Sequence, residues 1–172
     1  MPDPFINSIY QQTTDFLEHK ELIFSAVLQL NAKVVVELGT DVGDSTRILA
    51  SAVYRTQGHL WTIDILPPKW NEEVMALYKH LITVITSDSL TYPWTNPVDL
   101  LLIDSDHTKE HVKKELDKYG TLVKKGGLII LHDTHHSAFG GRITEAINEW
   151  TTARGLPWKD FPEHHGLGVI YA

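Results

Sequence analysis

Short runs of aliphatic residues alternate with longer amphipathic stretches along the chain. We predict five of these runs to be strands: Lys33–Leu38, Leu60–Ile65, Leu81–Thr86, Val98–Asp104 and Leu128–Leu131. Because nearly every position in them is hydrophobic, they indicate strands that are buried on both faces of a sheet. Between the runs, apolar residues recur at the three- and four-residue spacing of helices. This alternation of strands and helices predicts an α/β fold with a mostly parallel sheet.

Helical spacing is found in four segments, which are Gln12–Leu30, Ser45–Tyr54, Thr108–Tyr119 and Arg142–Ala153. We expect Thr108 to cap the third helix, and Gly126 and Gly127 to end the helical stretch and turn the chain into the fifth strand. Gly155 ends the fourth helix. Two short extended pieces follow it, Leu156–Phe161 and Leu167–Tyr171.

Length, composition and charge exclude several classes of protein. The 172 residues fit a single domain, residues 1–172, in which a helical segment over residues 1–31 covers one face of the sheet. The chain has no cysteine, which excludes disulfides, thiolate metal sites and a cysteine nucleophile. Its apolar runs are far shorter than the roughly 18 to 20 residues of a membrane span, so we expect a soluble, cytoplasmic protein with no membrane partner. The net charge of -7 disfavours nucleic acid as a partner.

A glycine-containing turn, VVELGTDVGDST, follows the first strand. Gly39 and Gly43 allow the backbone to turn sharply and to approach a ligand, and the helix that begins near Ser45 points its N–H groups at that ligand. Such turns also occur for packing alone. Glu37 lies at the end of the otherwise apolar strand, where a carboxylate is costly unless it meets a cation or hydrogen-bond donors. An ammonium group on a ligand would suit it.

Acidic residues also end the next two strands. Asp64 ends the second strand and would accept hydrogen bonds from both hydroxyls of a ribose. Asp88 and Ser89 follow the third strand and offer polar groups to an adenine amine. A single acid at a strand end is often only a loop cap, but acids at three successive strand ends favour a nucleoside site. Asp41 stands where a phosphate-binding turn prefers glycine, and the G-x-G-x-x-G pattern is missing, which disfavours a nicotinamide dehydrogenase.

Aspartates and histidines gather after the fourth and fifth strands, as DSDH at residues 104–107 and HDTHH at residues 132–136. We expect adjacent strands to bring these loops together at the same sheet edge. Carboxylates and imidazoles can hold Mg²⁺, Mn²⁺ or another divalent metal. Alternatively, the aspartates satisfy backbone donors, His107 packs against the following helix and His132 bonds within the sheet. His135 and His136 are expected to face solvent.

The motifs ELGTDVG, WTID, TSDS, DLLLIDSDH and KKGGLIILHD, in this order and spacing, resemble those of the class I S-adenosylmethionine-dependent methyltransferases. The likeness is strongest to their small O-methyltransferase-like branch, which includes the cephalosporin methyltransferase and hydroxylase-like relatives. It runs from about Lys33 to the C-terminus. It implies a Rossmann-like, doubly wound sheet of seven strands with helices on both faces. Its last strand, Leu167–Tyr171, would be antiparallel and insert beside the fifth.

The resemblance also implies a site. The residues expected to bind S-adenosylmethionine are Glu37, Gly39, Thr40, Asp41, Gly43, Ser45, Asp64, Asp88, Ser89 and Asp104. Glu37 and Gly39 would lie near the methionine part, Asp64 at the ribose and Asp88 at the adenine. The ligands of a divalent cation such as Mg²⁺ would be Asp104, His132 and Asp133.

Three residues are candidates for catalysis: Asp104, His107 and His132. A cation would lower the pKa of the acceptor hydroxyl, whereas without a metal one of the two histidines would serve as the general base. The leading hypothesis is methyl transfer to an oxygen of a small-molecule acceptor. The indoles of Trp70, Trp94 and Trp158 are candidates for lining the acceptor pocket, although such residues more often cover an edge of the core.

Two other hypotheses remain open. In the first, the chain would be a cofactor-binding subunit or sensor without activity. This hypothesis is based on the lack of a long insertion between strands that could form a lid over the acceptor. Alternatively, it is a metal-dependent hydrolase that uses the histidine and aspartate cluster. A homodimer would supply the missing cover.

Overall fold

The computed structural model describes residues 19–70 and 72–172. Seven strands form one sheet, and their bounds are β1 Val34–Leu38, β2 His59–Asp64, β3 Ile82–Thr86, β4 Val98–Ile103, β5 Val123–His132, β6 Trp158–Phe161 and β7 Leu167–Tyr171. Their spatial order is β3-β2-β1-β4-β5-β7-β6. Strands β1 to β5 are parallel, whereas β7 is antiparallel to both β5 and β6. The predicted α/β fold, with its antiparallel last strand beside the fifth, is confirmed.

Helices cover both faces of the sheet. The α-helices are α1 Lys20–Gln29, α2 Asp44–Thr56, α3 Glu72–Met75, α4 Lys109–Lys118 and α5 Arg142–Arg154. On one face, α1 and α2 bury Val27 and Leu49 against the sheet. On the other face, α4 and α5 bury Leu116 and Ile147. The part of the first predicted helix that precedes residue 19 lies outside the described residues. No helix among the described residues is long and apolar enough to cross a membrane.

The central strand β1 creates the place for a site. It pairs with β2 on one side and with β4 on the other. Strands β2 and β3 extend the sheet on the first side, and β4 and β5 extend it on the second, so the order of strands reverses direction at β1. Loops that leave the carboxyl ends of β1 and β4 therefore diverge and leave a crevice between them. Thr108 caps α4 as expected, since its side chain accepts a hydrogen bond from His111 N.

Two expectations about the sheet are wrong. Gly126 and Gly127 do not end a helix, because α4 ends at Lys118 and both glycines lie inside β5. A side chain at Gly127 would place its Cβ 2.6 Å from the carbonyl oxygen of Asp99 on β4, so glycine permits the close approach of these strands. In addition, β3 is not buried on both faces, since it forms an edge of the sheet and exposes Val84.

Candidate active site

A cavity of about 560 Å³ opens at the carboxyl ends of the central strands, which is a typical volume for a small-molecule site. Most of the predicted site residues line it, namely Gly39, Thr40, Asp41, Ser45, Asp64, Asp88, Ser89, Asp104, His107, His132 and Asp133. Glu37 and Gly43 do not belong to its lining. The parallel strands account for this agreement, since all their carboxyl ends meet at the same edge.

The turn after β1 is held between the ends of two other strands. Gly39 N donates to the carbonyl oxygen of Ile63 at 2.9 Å, and Asp104 N donates to that of Leu38 at 2.8 Å. Gly39 has a φ of +93°. Gly43 turns the chain as expected, with a φ of +80°, but it does not line the cavity. A Cβ at Gly43 would lie 2.9 Å from Cε3 of Trp70, so glycine makes room for this ring. This glycine serves the packing of the turn.

Asp64 connects the end of β2 to the turn. Its Oδ2 accepts hydrogen bonds from Thr40 N at 2.7 Å and Asp41 N at 3.2 Å, and its Oδ1 accepts from Leu66 N at 3.0 Å. Burial raises the pKa of the Asp64 carboxyl, but these backbone donors lower it on balance. A carboxylate offers about four acceptor positions, and the backbone donors of Thr40, Asp41 and Leu66 already take three of them, so a ligand hydroxyl would share the Asp64 oxygens with the backbone of the turn.

Glu37 is fully buried below the cavity. Its carboxyl oxygens accept hydrogen bonds from Ser45 Oγ at 2.6 Å and Thr46 Oγ1 at 2.7 Å, in the first turn of α2. Burial raises the pKa of Glu37 to about 7, although these hydroxyl groups partly offset the shift. Instead of meeting a cofactor ammonium as we expected, this side chain fixes the start of α2 below the glycine turn.

Replacing Glu37 with glutamine is expected to remove a pH dependence of stability. Folded Glu37 keeps its proton to about pH 7, whereas the unfolded chain releases it near 4.5. The folded state therefore binds more protons in this window, and the wild-type free energy of unfolding falls as the pH rises through it and levels off above it. The loss is on the order of 3 kcal/mol.

Urea unfolding of the wild type and of Glu37→Gln at several pH values measures this difference. The exposed acid Glu110 in α4 provides the control, since the profile of Glu110→Gln should parallel that of the wild type. A Glu37→Gln profile parallel to the wild type would contradict the raised pKa.

The loops after β4 and β5 meet as predicted. His107 Nε2 lies 3.6 Å from Asp104 Oδ1 and 3.0 Å from Asp133 Oδ2. Although burial lowers the pKa of His107, the two carboxylates raise it to about 9. The imidazolium ring thus occupies a place where two carboxylates favour a cation.

Asp104, His107 and Asp133 each offer a ligand atom, and these atoms lie within 4.8 Å of one another. This donor set fits a divalent metal ion. His132, which we expected as the imidazole ligand, is not part of this group; it lines the cavity beside it, with Nδ1 at 3.3 Å from Asp104 Oδ1 and 3.2 Å from Asp133 Oδ1. His107 therefore replaces His132 in the candidate metal set.

Two further histidines line the cavity beside this group. His165, which precedes β7, has Nδ1 at 3.5 Å from Asp133 Oδ1. Its ring meets that of His136 with a centroid distance of 4.2 Å, so His136 is not a purely solvent-facing residue. His165 carries no local signal in the sequence, because it reaches the site only when β6 and β7 pair. His135 bonds to Asp160 at 2.7 Å, away from the cavity lining.

The three tryptophans that were candidates for lining an acceptor pocket lie at edges of the core, which was the alternative interpretation. Trp70 packs behind Gly43, and Trp94 meets the ring of Trp61 at 5.4 Å. Trp158 donates its Nε1–H to Asn148 Oδ1 at 3.1 Å. Each covers an edge of the core, and none lines the cavity.

The cavity is strongly acidic. Seven aspartates line it: Asp41, Asp44, Asp64, Asp88, Asp104, Asp106 and Asp133. Among the residues that the structure describes, its lining includes histidines but no lysine or arginine. Just outside the lining, Lys69 pairs with Asp41 at 2.9 Å and Arg47 lies 3.8 Å from Asp44, which leaves the other five aspartates without such a partner from a lysine or arginine of the ion pairs described. Such a surface attracts a cationic ligand and disfavours a phosphate.

A family model described as a methyltransferase domain matches residues 36–134, from β1 to the loop after β5. The chain belongs to this methyltransferase family. The chain is also 29% identical over 150 residues to an uncharacterised methyltransferase of Anoxybacillus flavithermus, in an alignment that covers 81% of this chain and 68% of that relative. The segment that the family model matches contains the glycine turn, Asp64, Asp88 and the candidate metal set.

Solved methyltransferase structures share the fold. A Staphylococcus aureus protein provisionally assigned as a caffeoyl-CoA O-methyltransferase superimposes with a TM-score of 0.72 at 19% identity, over 97% of this chain and 88% of that one. The O-methyltransferase TomG of Streptomyces achromogenes, solved with S-adenosylmethionine, gives 0.64 at 15%, over 100% and 91%. MycE of the mycinamycin pathway, solved with Mg, S-adenosylhomocysteine and mycinamycin VI, gives 0.63 at 18%. That match covers 91% of this chain but only 49% of MycE.

Proposed function

We propose that this methyltransferase transfers the methyl group of S-adenosylmethionine to an oxygen of a small-molecule acceptor, with a divalent cation at Asp104, His107 and Asp133. The observation that carries the proposal is the cavity with seven aspartates and no lysine or arginine among its described lining residues. S-adenosylmethionine carries a sulfonium and an ammonium group and no phosphate, so its charge is complementary to this surface.

The order of the acids along the cavity supports one orientation of the cofactor. Asp64 would accept the ribose hydroxyls at the end of β2, and Asp88 would face the adenine after β3. The methionine part would then lie against the turn at Gly39, near Asp104. TomG and MycE, which share the fold, were solved with S-adenosylmethionine and S-adenosylhomocysteine respectively.

In the mechanism, the chain mainly holds the reactants in line. S-adenosylmethionine supplies an electrophilic methyl group on a positively charged sulfur. Asp104 lies where the expected methionine part and the metal set meet, so its carboxylate would help to bind positive charge on both sides. A bound cation would lower the pKa of the acceptor hydroxyl and orient its oxygen. Beside the metal set, the imidazoles of His136 and His165 line this end of the cavity and are groups that can take the released proton.

Calorimetric titration with S-adenosylhomocysteine tests the proposal directly, and we expect micromolar affinity. Asp64→Asn should weaken the affinity by roughly tenfold or more, because the ribose loses a charged acceptor. Asp99→Asn is the matched control. Asp99 also accepts two backbone N–H groups, those of Lys33 and Val34 at 2.8 Å, but near the amino end of β4. Its replacement should leave the affinity unchanged.

Absence of any binding at millimolar ligand would refute the proposed cofactor. Turnover is measured as release of S-adenosylhomocysteine from S-adenosylmethionine, with phenols, sugars and hydroxy acids as acceptors and with Mg²⁺ or Mn²⁺ added. A protein that binds the cofactor but turns over none of these acceptors would favour the subunit or sensor hypothesis.

A further inference from the structure

A buried acid on α4 gathers three side chains of the cavity wall. Glu115 is fully buried and is not part of the cavity lining. Its Oε1 accepts hydrogen bonds from Ser89 Oγ at 2.6 Å and Ser105 Oγ at 2.7 Å, and Ser105 Oγ also lies 2.8 Å from Oε2. His111 Nε2 is 3.2 Å from Oε1. Ser89, Ser105 and His111 all line the cavity, so Glu115 connects the loops after β3 and β4 with the start of α4.

These hydrogen bonds determine what the serines can offer to a ligand. A hydroxyl group has a single proton and two lone pairs. Because a carboxylate can only accept, the protons of Ser89 and Ser105 point toward Glu115. On the cavity side, both hydroxyls are left with lone pairs alone and act as acceptors.

The residues beside the serines strengthen this polarity. Asp88 and Asp106, the sequence neighbours of the two serines, also line the cavity. Each already binds a backbone N–H of its own loop, Leu90 N to Asp88 and Thr108 N to Asp106, both at 2.7 Å. Their carboxylates can likewise only accept. Together Asp88, Ser89, Ser105 and Asp106 form an acceptor wall.

The backbone that carries Ser89 is itself held by α4. Tyr119 OH donates to the carbonyl oxygen of Ser89 at 2.8 Å, and Lys118 Nζ donates to the carbonyls of Ser89 and Leu90, both at 2.8 Å. Ser89 therefore cannot easily move away from Glu115.

We infer that Glu115 makes this cavity selective for a base that presents an amino group to the acceptor wall, as adenine does, over one that presents a carbonyl oxygen, as hypoxanthine does. Glu115 is a positioning residue, since it acts through the serines and does not touch the ligand. The inference rests on the proposed function, in which a nucleoside cofactor lies along this wall. An amino group donates to the wall, whereas a carbonyl oxygen would face other acceptors and leave them unpaired.

Calorimetry with S-adenosylhomocysteine and with its hypoxanthine analogue, S-inosylhomocysteine, tests the inference. The wild type should bind the adenine compound roughly tenfold or more tightly than the analogue. Glu115→Gln should reduce this ratio to about threefold or less, because the amide N–H₂ group can donate to a serine and turn the hydroxyl proton toward the cavity. Ser89→Ala removes an acceptor of the wall together with its hydrogen bond to Glu115, leaves the carboxylate itself in place, and should lower the ratio in the same direction.

Tyr119→Phe is the matched control. It removes the hydrogen bond to the Ser89 carbonyl but leaves both serine hydroxyls bonded to Glu115, so the ratio of affinities should remain that of the wild type. A general loosening of the fold would weaken the binding of both ligands and leave the ratio of their affinities unchanged.

The outcomes separate this inference from the proposed function. If the wild type binds neither compound, the proposed function fails. If it binds both equally, or if Glu115→Gln and Ser89→Ala retain the wild-type ratio, the inference is overturned while the proposed cofactor stands.

Discussion

Replacement of Gly39 with alanine is expected to abolish cofactor binding and to destabilise the protein by about 3 to 5 kcal/mol. A Cβ at this position would lie 2.2 Å from the carbonyl oxygen of Asp104 and 2.6 Å from its carbonyl carbon. Both atoms belong to the backbone at the end of β4, which cannot shift without losing its hydrogen bond to Leu38. The φ of +93° adds strain for any L-residue. Urea unfolding and titration with S-adenosylhomocysteine measure the two effects.

Gly155→Ala separates the steric overlap from the backbone strain. Gly155 also has a positive φ, +64°, but no described atom lies within 4 Å of the position that its Cβ would take. Its replacement should therefore cost only the strain, about 1 to 2 kcal/mol, and should leave cofactor binding intact. Equal losses of stability and of cofactor affinity in the two variants would mean that the close contact between Gly39 and the end of β4 contributes to neither.

Asp133→Asn is expected to lower kcat by roughly 10²-fold or more and to weaken binding of the divalent cation, while the affinity for S-adenosylhomocysteine stays near that of the wild type. The carboxylate of Asp133 lies within 3.0 to 3.5 Å of nitrogens of His107, His132 and His165, so its charge supports the whole cluster. Its φ is +60°, a conformation that asparagine tolerates well. The backbone should therefore be undisturbed, and the loss would arise from the missing charge.

Asp160→Asn is the control for this variant. Asp160 also pairs with a histidine, His135 at 2.7 Å, but outside the cavity lining. Its replacement should change neither kcat nor the calorimetric affinity for Mn²⁺. If Asp133→Asn retained full turnover, the reaction would have to take place elsewhere than at this cluster.

Two sets of acidic residues shape the candidate site, one lining the cavity and one buried below it. The lining aspartates supply a negative potential, whereas buried acids below them, Glu37 and Glu115, hold the hydroxyl groups of neighbouring elements in fixed orientations. The buried acids cost desolvation energy, which their hydrogen bonds partly offset. Rigid support of this kind fits a reaction in which most of the rate enhancement comes from positioning.

Much of the fold and of the cofactor side of the cavity could be predicted from local sequence. Hydrophobic runs predict the strands because a parallel sheet is buried on both faces. The five predicted runs all overlap observed strands, although β3 lies at an edge of the sheet and β5 begins at Val123, before the predicted start at Leu128. Asp64, Asp88 and Asp104 come together because all carboxyl ends of parallel strands share one edge. For these residues, position along the strand was sufficient.

Other features depend on residues that are distant in sequence, and only the tertiary structure decided them. Position 127 in β5 requires glycine because the backbone of Asp99 in β4 lies very close to it. His165 reaches Asp133 because β6 and β7 pair. Glu115 looks like any charged residue of a helix in the sequence, yet it is buried under two loops. The sequence by itself determined which side chains stand at strand ends, since that follows from local hydrophobic patterning. The tertiary structure decided which of them face the cavity and which lie beneath it, because burial and hydrogen bonding depend on neighbours from other strands and helices.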